Sequence, residues 1–111
     1  MKKVEWTDYA KGQKQQIANY IRRCFGVRRV ADFNQDVSQS VQMIIRHPNI
    51  GIIDSNFPDY PKAYRSIIIN GLSKMVYFID DDKDTIYIVA LWDTRREPKK
   101  QAQQVKDNPE I

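Results

Sequence analysis

The sequence predicts an α+β fold in the order β-α-α-β-β-β, with an antiparallel sheet packed on one face by a two-helix hairpin. Three features predict it. Residues 64–96 contain three runs rich in Ile, Val, Tyr and Phe, each bounded by turn residues. Two amphipathic helical periods precede them, and one glycine separates those periods. At 111 residues the chain forms one domain with a core of ordinary size.

Lys2 to Trp6 reads as a short strand ending at Thr7, whose hydroxyl suits a helix N-cap. From about Asp8 to Phe25, the residues Ala10, Ile17, Tyr20, Ile21 and Cys24 fall on one helical face, and Gly26 stops the helix. That spacing places Cys24 in the core rather than in chemistry. Val30, Phe33, Val37, Val41, Ile44 and Ile45 mark the second helix, which ends before Pro48. The short connection at Gly26 makes the pair antiparallel. Residues 50–62, with prolines and several Asp and Asn, read as a surface loop.

The meander follows, turning at Asn70-Gly71 and again across Asp80 to Asp84. Simple hairpin registers put Arg65, Ile67, Ile69, Lys74, Val76, Phe78, Tyr87, Val89, Leu91, Asp93 and Arg95 on one face. Tyr64, Ser66, Ile68, Met75, Tyr77, Ile79, Ile86, Ile88, Ala90 and Trp92 then share the other, because side chains alternate along a strand. Both faces are apolar, and the hairpin covers only one. The uncovered face, basic at its margins, is the expected binding surface. Residues 1–98 are the folded domain in this reading, and 99–111 are a polar C-terminal tail.

A net charge of +4 and a pI near 9.2 favour an anionic partner. A lone cysteine forms no internal disulfide, and no apolar run reaches membrane-spanning length, so a cytoplasmic protein without membrane contact is expected. Asp80, Asp82 and Asp84 lack the glycine and distant glutamate of a calcium loop, and neither a metal nor a cofactor is expected. His47 at a helix C-terminus suits the dipole, and Trp6 and Trp92 read as core or sheet-edge anchors.

The order of elements resembles the RelE/ParE superfamily, the toxins and plasmid stabilisation proteins of bacterial type II toxin–antitoxin systems. So do Trp6-Thr7 with Ala10, Pro48 with Gly51, Tyr64-Arg65, Met75-Val76-Tyr77 and Trp92-Asp93-Thr94-Arg95-Arg96. The resemblance spans roughly residues 3–98. It implies an antitoxin partner, operator DNA contacted through that antitoxin, and one of two targets. RelE-like members cut ribosome-bound mRNA by attack of a 2′-hydroxyl on the adjacent phosphate, whereas ParE-like members poison DNA gyrase. Arg65, Lys74 and Arg95 match the cationic positions of the nuclease site, and with Arg96 they are the candidate nucleic-acid or target-binding residues. Cations of this kind stabilise a phosphorane or hold a backbone.

The departures decide the preference. Ile67 replaces a second lysine, and Asp54 and Asp59 are the loop's only acids. After Arg96 there is neither Tyr nor His. Efficient attack requires a base and an acid within reach. The expectation is therefore a non-enzymatic gyrase inhibitor. A ribosome-dependent endoribonuclease, or a degenerate member that only binds antitoxin, is the alternative. In a flat ladder Arg65 and Arg95 sit at opposite ends, so a shared site requires strand curl or a folded-back tail.

Overall fold

The computed structural model describes residues 2–57, 63–94 and 98–107. Strand β1 (Lys3–Trp6) leads into α1 (Asp8–Phe25) and α2 (Val27–Arg46), followed by β2 (Ile52–Ile53), β3 (Arg65–Ile69), β4 (Ser73–Asp80), β5 (Thr85–Asp93) and α3 (Pro98–Lys106). The Thr7 hydroxyl accepts from the Ala10 amide at 3.1 Å, which caps α1 as its chemistry predicts. Gly26 sits at a φ of 91°, a conformation most side chains avoid, and there the chain reverses into α2. The sheet order is β1-β5-β4-β3-β2, with β1 parallel to β5 and the other pairs antiparallel.

The helical hairpin covers one face as expected. Ala10, Phe33, Val37 and Ile44 pack there against Ile69, Met75, Tyr77, Ile86, Ile88 and Leu91. The opposite face is not uncovered, contrary to the sequence reading. Phe57, Val76, Phe78, Tyr87, Val89, Ala90 and Trp92 form a second core with Ala102 and Val105 of α3. The polar segment after Pro98 thus supplies a third layer. Its period is carried by two apolar residues, too few to stand out among lysines and glutamines.

Two single-residue insertions also reverse part of the expected facing. The turn after β3 closes with the Leu72 amide on the Ile69 carbonyl at 3.1 Å, with positive φ at Asn70 and Gly71. Pairing resumes at Ile69↔Ser73, which leaves Leu72 as an extra residue. Arg65 therefore shares a face with Met75 and Tyr77, not with Lys74. The second insertion is a bulge in β5, where Val76 pairs Ala90 but Tyr77 pairs Ile88. Beyond it Leu91 joins Met75, and Trp92 joins Lys74.

Cys24 is exposed rather than in the core, as is everything from Arg22 to Arg29, because the hairpin tip extends past the packed surface. One buried polar residue anchors α1 instead. β1 ends opposite Ile88, and farther along β5 the Leu91 amide donates to Gln13 Oε1 at 2.8 Å. Gln13 is 8% exposed, and Gln13→Leu strands that amide without a partner. A loss of about 1–3 kcal/mol is expected, read as a lower urea midpoint at unchanged slope.

Candidate functional site

Lys74 points from β4 into the second core, where its only close anionic neighbour among the described residues is Asp54. Nζ lies 2.6 Å from Asp54 Oδ2 and 5.7 Å from the centroid of the Trp92 ring. The loop after β2 is built to hold this carboxylate. The Asp54 amide donates to the Tyr64 carbonyl at 2.9 Å, while Oδ1 accepts from the Asn56 amide at 2.9 Å and from Asn56 Nδ2 at 3.0 Å. An Asp with a donor two residues on forms such a turn readily. Phe57 then enters the second core, stacked at 6.3 Å on Trp92.

Burial pushes the Asp54 carboxyl up, but the Lys74 ammonium, the Asn56 amide and the Ser66 hydroxyl outweigh it and hold the group below the usual carboxylate range. A depressed folded-state value contributes stability that is complete above the unfolded value of about 3.9, and that is lost as pH falls through the folded one. Asp54→Asn is thus expected to flatten the acid limb of the stability–pH curve below about pH 4, relative to the parent protein. Urea midpoints measured between neutral and acid pH check this. Parallel curves would contradict it.

Arg65 lies on the opposite, helix-facing side. Its Nη1 donates to the Gly51 carbonyl at 2.8 Å and to the Asn49 carbonyl at 3.4 Å. Tyr77, its cross-strand partner, donates to the Pro48 carbonyl at 2.7 Å and accepts the Gly51 amide at 2.9 Å. Together they clamp the segment leaving α2. Burial raises the Tyr77 hydroxyl, and the Gly51 amide and the Arg65 charge offset only part of that, so it stays protonated. Only glycine fits at position 51, where a Cβ would lie 2.7 Å from the Tyr77 oxygen.

The structure therefore separates two residues that the sequence reading placed together. Arg65 and Lys74 occupy opposite faces, and each is committed to a partner within the fold. Arg95 and Arg96 lie outside the described residues, as does Asp59. Asp54, the remaining loop acid, is bound to Lys74 and is not free to act as a base. His47 ends α2, its amide on the Met43 carbonyl at 2.8 Å, and borders an open groove of about 760 Å³ with Gln39, Gln42, Met43, Arg46 and Ile50. In the acidic turn Lys2 Nζ contacts Asp81 at 3.2 Å and Asp84 at 3.1 Å. Among the described residues no cluster of His, Cys, Asp and Glu is arranged to hold a metal ion.

Sequence reading missed the Lys74–Asp54 pair, although a signal was present. A lysine flanked on its own face by Val76 and Phe78 requires a counter-charge, and Asp54-Ser55-Asn56 is a turn that presents one.

A family model described as the ParE toxin of the type II toxin–antitoxin system parDE matches residues 4–98. No curated protein matches the chain with significance. Among solved structures, the chromosomal ParDE system of P. aeruginosa is similar over 84% of this chain and 96% of the other, at 16% identity and a TM-score of 0.66. The intact RelBE toxin–antitoxin complex of E. coli is similar over 86% and 100%, at 12% identity and a TM-score of 0.58. The isolated RelE toxin of E. coli covers 97% and 99%, at 13% identity and 0.58. At such identities the likeness is one of fold, in agreement with the α+β arrangement described above.

Proposed function

The chain belongs to the ParE toxins of type II toxin–antitoxin systems, and from that premise we propose that it arrests growth by binding DNA gyrase, cuts no RNA, and is neutralised by a cognate antitoxin in the cytoplasm. The observation that carries this reading is the position of the cations. A ribonuclease would converge Arg65, Lys74 and Arg95 on one phosphate beside a base and an acid. Here Arg65 clamps a loop on one face and Lys74 neutralises Asp54 on the other. Lys74 is neutralised by its carboxylate, and Arg65, still cationic, lies on the other face, so the two do not converge on one phosphate.

The proposed target surface is the end of the chain beyond β5, comprising Arg95, Arg96 and the exposed residues Lys100, Gln103 and Lys106 of α3. The antitoxin takes a different surface. β2 is a two-residue edge strand, and around it Ile50, Ile52, Ile53, Ile68 and Leu72 are 45–74% exposed. An apolar segment paired along that edge buries them. Bound at one hundred times its Kd, such a segment raises stability by about 2.7 kcal/mol, read as a higher Tm.

Purified protein tests the target directly, incubated in parallel with gyrase and plasmid and with ribosomes and message. The expected result is gyrase-dependent DNA breakage with intact message. Codon-positioned cleavage of the message would overturn the reading in favour of the endoribonuclease.

A further inference from the structure

The positive charge of this protein is concentrated at the hairpin tip. Between Asp8 and Asp32 the sequence holds six of its 18 cations and none of its 14 acids, so the rest of the chain carries twelve cations against those 14 acids. Four of the six lie within one turn of Gly26: Arg22 and Arg23 end α1, and Arg28 and Arg29 begin α2. Every residue from Arg22 to Arg29 is exposed, and none of the four arginines forms an ion pair among the described residues.

The placement of Arg28 and Arg29 is locally unfavourable. Cations in a first turn oppose the helix dipole, and α2 has neither an acid there nor a side-chain cap. Stability of the hairpin therefore does not account for them. The tip also carries its own side-chain contacts: the Arg29 guanidinium sits 5.9 Å over the Phe25 ring, which meets Tyr20 edge-on at 6.4 Å. This stacking restrains one guanidinium in advance of any ligand.

We infer that the hairpin tip, with Arg22, Arg23, Arg28 and Arg29 set around Phe25, binds the phosphate backbone of duplex DNA. Guanidinium forks and the uncapped amides of α2 are both suited to phosphate oxygens. A protein partner fits less well, since a stable interface takes about 800 Å² per side and a two-turn convex tip offers less. Duplex DNA carries one negative charge per about 1.7 Å of its axis, a density that four guanidiniums clustered on a convex tip meet without entering a groove. Single strands are disfavoured because the Phe25 ring is already engaged by Arg29 and Tyr20. The inference goes beyond the gyrase reading and does not depend on it. The superfamily resemblance assigns DNA contact to the antitoxin, and this surface adds a contact from the toxin itself.

The test is fluorescence anisotropy of a labelled mixed-sequence duplex titrated with the full-length protein over a range of salt. Four phosphate contacts predict a slope of log affinity on log salt between about −3 and −4. Arg28→Gln with Arg29→Gln should reduce that slope by about 2 and leave the melting temperature no lower than the parent's. Lys100→Gln with Lys106→Gln should leave the slope unchanged. Failure to bind at low salt would overturn the inference. So would equal slopes for parent and tip variant, loss of the slope only with the α3 lysines, or equal affinity for duplex RNA or polyglutamate. Each outcome is read without gyrase, so it leaves the target assignment untouched.

Discussion

Lys74→Ala is expected to destabilise this protein by about 3–5 kcal/mol, because it strands the Asp54 carboxylate in a buried site. Asp54 is 4% exposed and Lys74 Nζ is its only cationic contact among the described residues. The Asn56 and Ser66 hydrogen bonds that remain do not neutralise a charge. Much of the loss is the cost of that orphaned carboxylate rather than the net worth of the pair, so Asp54→Ala should cost a comparable amount through the stranded ammonium. Denaturant unfolding of both single variants checks this. A change within about 0.5 kcal/mol, as for an ordinary surface substitution, would contradict the structural assignment of the pair.

Truncation before Pro98 should cost at least about 3 kcal/mol and expose dye-binding apolar surface. Val105 alone contributes about 1.5–3 kcal/mol on burial, and its loss and that of Ala102 also return part of Tyr87, Val89 and Trp92 to water. The Tyr9 hydroxyl loses the hydrogen bond it donates to Gln104 Oε1, at 2.8 Å, and keeps the one from Gln13 Nε2 at 3.4 Å. A truncated chain with the parental urea midpoint would show instead that the second core closes without α3. The point variant Val105→Asp separates packing from chain length, since it leaves α3 in place and buries a charge.

The two helices of the hairpin were legible in the sequence because strong local chemistry bounds them, a threonine cap, a glycine reversal and Pro48, whereas α3, with two apolar residues, was not. The strands of the meander were legible for the same reason, through Asn70-Gly71 and the acidic turn, while the two-residue β2 fell inside the segment read as a surface loop. Facing was not. One extra residue reverses every side chain beyond it: Val89 matches its apolar neighbours Ile88 and Ala90, and Leu72, just past Gly71, reads as the first residue of the strand rather than the last of the turn. The Val89-Ala90 bulge is silent to an alternation pattern because both residues are apolar and both enter the second core. Arg65 and Lys74 were therefore grouped by a register the chain does not adopt. Within the candidate site, the identity of the cations could be read from sequence, but their partners depend on how the loop carrying Asp54 folds back over the sheet. The arginines of the hairpin tip were visible as residues. Their isolation from acids became meaningful only once the tip was seen to extend beyond the core.

The double variant Asp54→Leu with Lys74→Met tests most directly whether these groups hold the fold rather than a substrate. Replacing a buried ion pair by apolar residues of similar volume is commonly neutral or stabilising, so no charge is orphaned, and only the weaker hydrogen bonds from Asn56 and Ser66 are lost. The expected result is that the double variant recovers most of the stability lost by either single change and inhibits gyrase as strongly as the parent. A double variant with parental stability whose toxicity falls by about a hundredfold, the scale of a lost transition-state donor, would contradict it and return Lys74 to the chemistry.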